Sequence, residues 1–291
     1  GSNSDPTISA TTSLVQGPEL TVEMFIKASS LLKEVKDDAD DGIILLPIPL
    51  DEAIILNCSD SSWANAANHK SQAAYCIMLG TLDCLSEQGG EASLLDWVSH
   101  RLKRSCHSTL YAEGMASRAG CGAAMWVRCM MLEILKEDFK ASDTVTGKKE
   151  LHGALLQVHT LTDCNSLHET VTKSSLPKDQ RAAIEVIAIR ELMLENHIDN
   201  ESEGEDVGTR LHEEHIEKVY HWCQSHEQKA DILTKMSTRQ DRRSWKDDIN
   251  YVRITTKNVQ PTGPLKPSRK QVRITKDMRA AYQEQLDRKH A

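Results

Sequence analysis

Hydrophobic positions along this chain change period several times, and each change marks an element. Between Glu19 and Lys36, apolar Leu20, Met24, Phe25, Ala28, Leu31, Leu32 and Val35 recur every three or four residues. That spacing predicts an amphipathic helix with Thr21 as its N-cap, ended by the acidic run Asp37–Asp41. Three short apolar runs follow, Ala53–Cys58, Ala73–Leu79 and Leu94–Val98, each bounded by turn residues. They read as strands of an antiparallel meander. The period then returns to that of a helix from about Ser108 to Lys136, with Gly114, Gly120 and Gly122 inside it. Glycines weaken an isolated helix, but their bare backbone suits close packing on a sheet. Leu155–Leu161 reads as a fourth strand that runs into Thr162-Asp163-Cys164-Asn165-Ser166, with a short helix to about Lys173. Lys178–Glu195 is a strong helix, Asn196–Asp206 an acidic loop, Glu217–Trp222 a fifth strand and His226–Met236 a short helix. Residues 1–20, rich in Ser, Thr, Asn and Pro, are expected to be loose. Residues 254–291 lack periodicity until a helical stretch at Thr275–Arg288. The element order predicts an α/β fold: a mixed sheet covered by helices, in one domain of roughly 200 residues with two tails.

Composition narrows this picture without overturning it. With 39% hydrophobic and 27% charged residues among 291, the balance is that of an ordinary globular chain. No apolar run approaches the roughly 18 residues of a membrane helix, so no membrane partner is expected. The start has no basic, apolar leader, so the expected protein is not secreted, and Gly1-Ser2 reads as a cloning remnant. The eight cysteines include no C-x-x-C pair and mostly sit in apolar runs. Reduced, partly buried thiols in an intracellular protein are therefore expected, with a zinc site built from Cys and the 12 His as the alternative. The formal net charge of −8 hides an asymmetry. From Arg239 to Ala291 there are 14 Lys and Arg against 6 Asp and Glu. A basic tail behind an acidic body points either to a polyanion contact or to simple solvation.

Four carboxylates fall at element ends. Asp60 closes the first strand, Glu113 lies in the first turns of the long helix, Asp163 ends the fourth strand, and Asp231 lies near the last short helix. Each alone has an ordinary explanation as a turn, a cap or a solvated helix position. Taken together they gain meaning: if the first and fourth strands are neighbours, Asp60 and Asp163 sit side by side, with Glu113 crossing above and Asp231 closing the group. Carboxylates crowded in this way repel one another unless divalent cations lie between them. Hard oxygen ligands favour Mg²⁺ or Mn²⁺, and two such ions can divide the work of phosphodiester hydrolysis.

The segments Asn57-Cys58-Ser59-Asp60-Ser61-Ser62-Trp63-Ala64, Leu110-Tyr111-Ala112-Glu113-Gly114-Met115-Ala116, Leu161-Thr162-Asp163-Cys164-Asn165-Ser166-Leu167 and Ala230-Asp231-Ile232-Leu233-Thr234-Lys235 carry a likeness. In this order they resemble the four signature blocks of the ribonuclease H domain of copia-type LTR retrotransposon polyproteins. The likeness spans about residues 19–238. It implies a ribonuclease-H-like fold, a five-stranded mixed sheet with helices on both faces. The implied organisation is a leading tail 1–18, a connection helix and linker 19–50 from the reverse transcriptase, a ribonuclease H domain 51–238 and a basic tail 239–291. The implied activity is endonucleolytic cleavage of the RNA strand of an RNA/DNA hybrid. By the resemblance, Asp60, Glu113, Asp163 and Asp231 hold two Mg²⁺ ions, for which Mn²⁺ can substitute, and His226, with His221 as the second choice, assists product release. Asn65, Asn68, His69, Lys70 and Ser71, with Asn165 and Ser166, are the expected contacts to nucleic acid, and Arg181 and Arg190 are weaker candidates. The implied partners are the hybrid and the reverse transcriptase domain, and the implied location is a cytoplasmic particle or the nucleus. Two departures stand out: Ser62 occupies a position where the family usually has a second acid, and Tyr111-Ala112-Glu113-Gly114 replaces the common Glu-Ala-Glu-Tyr. The alternative function is a catalytically silent module of the same fold that binds nucleic acid or protein.

Overall fold

The computed structural model describes residues 5–15, 21–38, 40–66, 70–137, 139–142, 155–173, 175–195 and 215–255, with backbone only at 65, 66 and 195. Asn68, His69, the acidic stretch 196–206 and the expected helix at 275–288 lie outside them. Strands β1 (Ala53–Ala66), β2 (Lys70–Thr81) and β3 (Gly90–Arg101) form the antiparallel meander. On the other side of β1, strand β4 (Val158–Thr162) pairs in parallel, and β5 (Tyr220–Trp222) pairs in parallel with β4. The sheet has six strands rather than the expected five, in the order β5-β4-β1-β2-β3-β6. The additional strand, β6 (Tyr251–Val252), pairs with Gly90 and Glu91 at the outer edge of β3. Two residues are too few for any alternation to announce a strand.

Strands β1 and β2 outrun their apolar segments. Asn57, Ser59, Asp60 and Ser61 on β1 and Ser71 and Gln72 on β2 are polar yet buried. There the ladder satisfies the backbone while hydrophobicity ceases to mark the strand. A register shift between Ser62 and Ala66, with Ala64 at a φ of 54°, bends the hairpin near its end.

Both faces of the sheet are covered. On one face, Ile55, Ile77 and Val158 pack with Cys121, Ala124 and Leu132 of helix α3 (Thr109–Leu135), with Leu167 of α4 (Asn165–Thr172), and with Val186 and Ile189 of α5 (Gln180–Glu195). On the other face, Ile54, Leu56, Cys58 and Met78 meet Cys223, Ala230, Leu233 and Ile249. The expected helix His226–Met236 is instead two 3₁₀ turns, Ser225–Glu227 and Asp231–Leu233. Between them the Gln228 side chain accepts the Ala230 N–H at 3.2 Å, competing with helical bonding. All eight cysteines are free, and seven are buried.

The ends of the chain depart most from expectation. Pro6–Ile8 and α1 (Ser9–Val15) are ordered, with Ile8, Ala10 and Leu14 buried, where a loose segment was expected. Helix α2 (Val22–Asp37) forms as the spacing predicts, and Thr21 Oγ1 accepts the Met24 N–H at 3.2 Å. None of its residues is buried. It is tied instead to helix α6 (Arg239–Asp248): Arg239 and Arg243 both reach Asp38 at 2.6 Å, and Arg242 pairs with Glu34. Lys246 meets Asp5 at 2.8 Å, and Arg253 meets Glu227 at 2.7 Å. Several cations of the basic C-terminal segment are thus engaged by acids of this same chain. No helix among the described residues is long and apolar enough to cross a membrane.

One glycine shows how closely α3 approaches β1. A Cβ at Gly120 would lie 2.3 Å from Oδ1 of the fully buried Asn57. Gly120→Ala is therefore expected to destabilise the fold by about 1–3 kcal/mol, reversing the gain usual for this exchange in a helix. Chemical denaturation of Gly120→Ala, Asn57→Ala and the double variant measures the coupling, and the double variant should lose less than the sum of the two.

Candidate active site

Parallel pairing of β1 and β4 sets Cys58 opposite Leu161. Two residues further along each strand come Asp60 and Asp163, level at the carboxyl end of the pair. Glu113 arrives from the first turns of α3, whose start is fixed by Ser108 Oγ accepting the Tyr111 N–H at 3.2 Å. Asp231 opens the 3₁₀ turn Asp231–Leu233, which packs against β1 and β2. Gln228 Nε2 donates to the carbonyl oxygens of Ser59 at 3.1 Å and Leu161 at 3.4 Å, stitching this segment across the gap between β1 and β4. Trp222 Nε1 donates to the Asp163 carbonyl at 3.0 Å and holds the backbone from which that carboxylate emerges.

The electrostatics follow from this crowding. Asp60 is 4% exposed, and its carboxyl is pushed up to about 7 by burial, to which the charges of Asp163 and Asp231 add. Glu113 is 6% exposed and is pushed up to about 9 by burial and by Asp60 and Asp163. Two groups oppose the crowding. Thr234 donates its hydroxyl to Asp60 Oδ2, and Lys235 forms an ion pair with Asp231. A basic residue, Lys235, thus stands at the edge of the acids. Burial works against its charge, but the Asp231 bond and the fields of Asp60 and Asp163 raise its pKa overall. Its position four residues after Asp231 was the available signal.

Asp60 thus lies in the field of Asp163 and Asp231, and Glu113 in that of Asp60 and Asp163. Their donor chemistry, hard oxygens under mutual repulsion in a buried setting, fits a divalent cation such as Mg²⁺. Among the described residues, no three Asp, Glu, His or Cys side chains lie close enough to share one ion, so ion binding requires the ligands to draw together.

The remaining candidates separate. His226 is exposed, 3.8 Å from Glu227 and 3.5 Å from Arg253, and none of its described contacts is to the four acids. His221 stacks on His159, their rings joined at 3.1 Å, and burial pushes it down to about 4. Ser71 is turned into the fold, where its hydroxyl accepts the Ala64 N–H at 3.2 Å and supports the bend in the hairpin. Lys70 begins β2 and is partly exposed, while the Asn65 side chain is not among those described. Asn165 and Ser166 are exposed at the start of α4, with Asn165 Nδ2 on Glu169 at 3.2 Å and Ser166 Oγ 3.3 Å from Cys164 Sγ. Arg181 is exposed. Arg190 points inward, donating to the carbonyls of Thr170 at 2.6 Å and Val171 at 3.0 Å, and so caps the end of α4. The supporting roles of Gln228, Trp222 and Thr234 went unread, because no local pattern reveals which long-range carbonyl or carboxylate a polar side chain will reach.

Comparison with known proteins adds little. No family model and no curated protein matches the chain. Among solved structures, the crystal structure of native prototype foamy virus protease-reverse transcriptase aligns at 12% identity over 70% of this chain and 21% of that chain. The TM-score is 0.29, too low to establish a shared fold.

The buried carboxyls make a prediction. The folded protein keeps protons on Glu113 and Asp60 that the unfolded chain releases near the ordinary carboxylate values of 4.5 and 3.8. Their contribution to stability therefore falls as pH rises through 7 toward 9. In EDTA, the melting temperature should decline between pH 7 and 8.5. Glu113→Gln should raise it at pH 8.5 and flatten the decline. A variant with the wild-type slope contradicts the buried, crowded carboxyl.

Proposed function

We propose that this chain is a ribonuclease-H-like nuclease that hydrolyses the RNA strand of RNA/DNA hybrids within a retroelement reverse-transcription system. One observation carries the reading. Asp60 and Asp163 stand level at the carboxyl end of the β1–β4 pair, with Asp231 within electrostatic reach of Asp60, and Glu113 within reach of both Asp60 and Asp163. The antiparallel meander continued by two parallel strands, with helices on both faces, is the framework this reading requires, and β6 is an addition at the far edge.

The four acids would hold two divalent ions, Mg²⁺ or Mn²⁺, which when bound neutralise charge at the phosphodiester and promote ionisation of water. The chain's own groups prepare that site. Gln228 and Trp222 fix the two strand ends. Thr234 orients the Asp60 carboxylate by donating to its Oδ2. Lys235 is paired with Asp231, which it would have to release for a divalent ion to be held there.

The second reading, a silent binding module, draws on the same Lys235 and Thr234 contacts. If these hold permanently, the acids never gather.

Cleavage of an end-labelled RNA/DNA hybrid in Mg²⁺ and in Mn²⁺ separates the two, with single-stranded RNA and duplex DNA as controls. The nuclease reading predicts cuts in the hybrid's RNA strand alone. It also predicts that Asp163→Asn loses at least the roughly 100-fold that removal of even a supporting group can cost. Absence of cutting together with retained hybrid binding favours the silent module.

A further inference from the structure

Although the chain is acidic overall, the two stretches that flank the acid group at its end of the sheet are not. Between Asp60 and Asp83, and again between Asp96 and Glu113, the sequence contains no acid. The fold brings these two stretches together. Gln72 pairs with Arg101, and the Leu102 N–H donates to the Ser71 carbonyl at 2.8 Å, so the loop from β3 to α3 lies against the start of β2. Lys70 and Arg101 are partly exposed there, and Lys103 and Arg104 are exposed. The Arg101 guanidinium is steadied by a bond from Nη2 to the Ser13 carbonyl at 2.8 Å. Glu185 of α5 is engaged by Arg118. The opposite end of the same strands carries Asp83, Glu87 and Glu91.

An indole sits within this cationic strip. Trp63 is 49% exposed, and its Nε1 donates to the Cys106 carbonyl at 3.1 Å, which pins the ring against the loop. A large aromatic held in place by one edge can stack on a flat ring with little loss of side-chain entropy. Trp63 lies three residues beyond Asp60, about 10 Å along the strand, and the loop leads directly into the helix that carries Glu113.

We propose that Trp63, Lys70, Arg101, Lys103 and Arg104 form a track for one polynucleotide strand running away from the acid group. The cations meet phosphates, and the indole stacks on a base or sugar. The inference rests on the nuclease reading for its choice of partner, since β1, and the loop with the α3 it enters, carry members of this strip as well as two of the acids. Cations beside a fixed aromatic favour a nucleic acid over an acidic peptide, because successive bases offer ring faces and phosphates at regular spacing.

Binding in EDTA, where no cleavage occurs, tests the track apart from the chemistry. The probes are the RNA/DNA hybrid, an oligodeoxythymidine strand and heparin, titrated from 50 to 200 mM salt. Lys103→Gln/Arg104→Gln should make the slope of log affinity against log salt shallower by about 1.4–1.8 on the nucleic acids. Trp63→Ala should weaken binding to the hybrid or the single strand by about fivefold or more while sparing heparin, and Trp63→Phe should restore much of it. Melting temperatures verify that each variant is folded. An unchanged salt slope in a folded double variant overturns the track, as does equal loss of heparin and nucleic-acid binding with Trp63→Ala. A shallower slope in a protein that cuts no hybrid would retain the track and reject the nuclease.

Discussion

Burying carboxyl groups beside other acids is the constraint around which this end of the structure is organised. The parallel register of β1 and β4 leaves Asp60 and Asp163 level at one end of the sheet, and α3 brings Glu113 onto the same ground. Burial out of water does most of the work and the neighbouring carboxylates add to it, so that Asp60 is pushed up to about 7 and Glu113 to about 9. Such a grouping lowers the stability of the fold. It persists because the packing of the sheet over-determines it.

The surrounding structure can be understood as support for that concentration. Two apolar layers clamp the sheet, one beneath α3, α4 and α5 and one beneath the segment from Cys223 to Ile254. Within the second layer, Gln228 ties that segment to the carbonyls of Ser59 and Leu161. That tie places Asp231, Thr234 and Lys235 over the strand ends. Lys229, buried beside them, is held by Asp248 at 2.5 Å, and Trp245 donates to the Lys229 carbonyl at 2.9 Å. Helix α6 therefore braces the site, although its charge had suggested an outward role.

How much of this was legible in the sequence depended on the kind of signal. The long helix and the meander were readable, because apolar spacing carries them over many residues. The adjacency of the first and fourth strands entered only as a condition, because spacing marks a strand and not its neighbour. The four acids were readable as a set because they sit at element ends in a recognisable order. The far half of β1 was not, since Ser59, Asp60 and Ser61 are buried polar residues and defeat any rule based on hydrophobicity. Strand β6 has two residues, and α1 is composed largely of Ser, Thr and Ala. Ser71 and Arg190 looked like surface ligands and proved to bond backbone, a choice made by tertiary contacts alone. Lys235 stood in plain view within the last block, but its role depended on knowing which carboxylates would gather around it.

The account's central claim is that these carboxylates form one divalent-cation site. Calorimetric titration of Mn²⁺ into the protein at pH 7.5 tests it most directly, comparing the wild type with Asp60→Asn/Asp163→Asn. The account predicts saturable binding in the wild type that the double variant loses, with the variant melting at a higher temperature than the wild type in EDTA. Equal Mn²⁺ binding by the two proteins, or none by either, would contradict it.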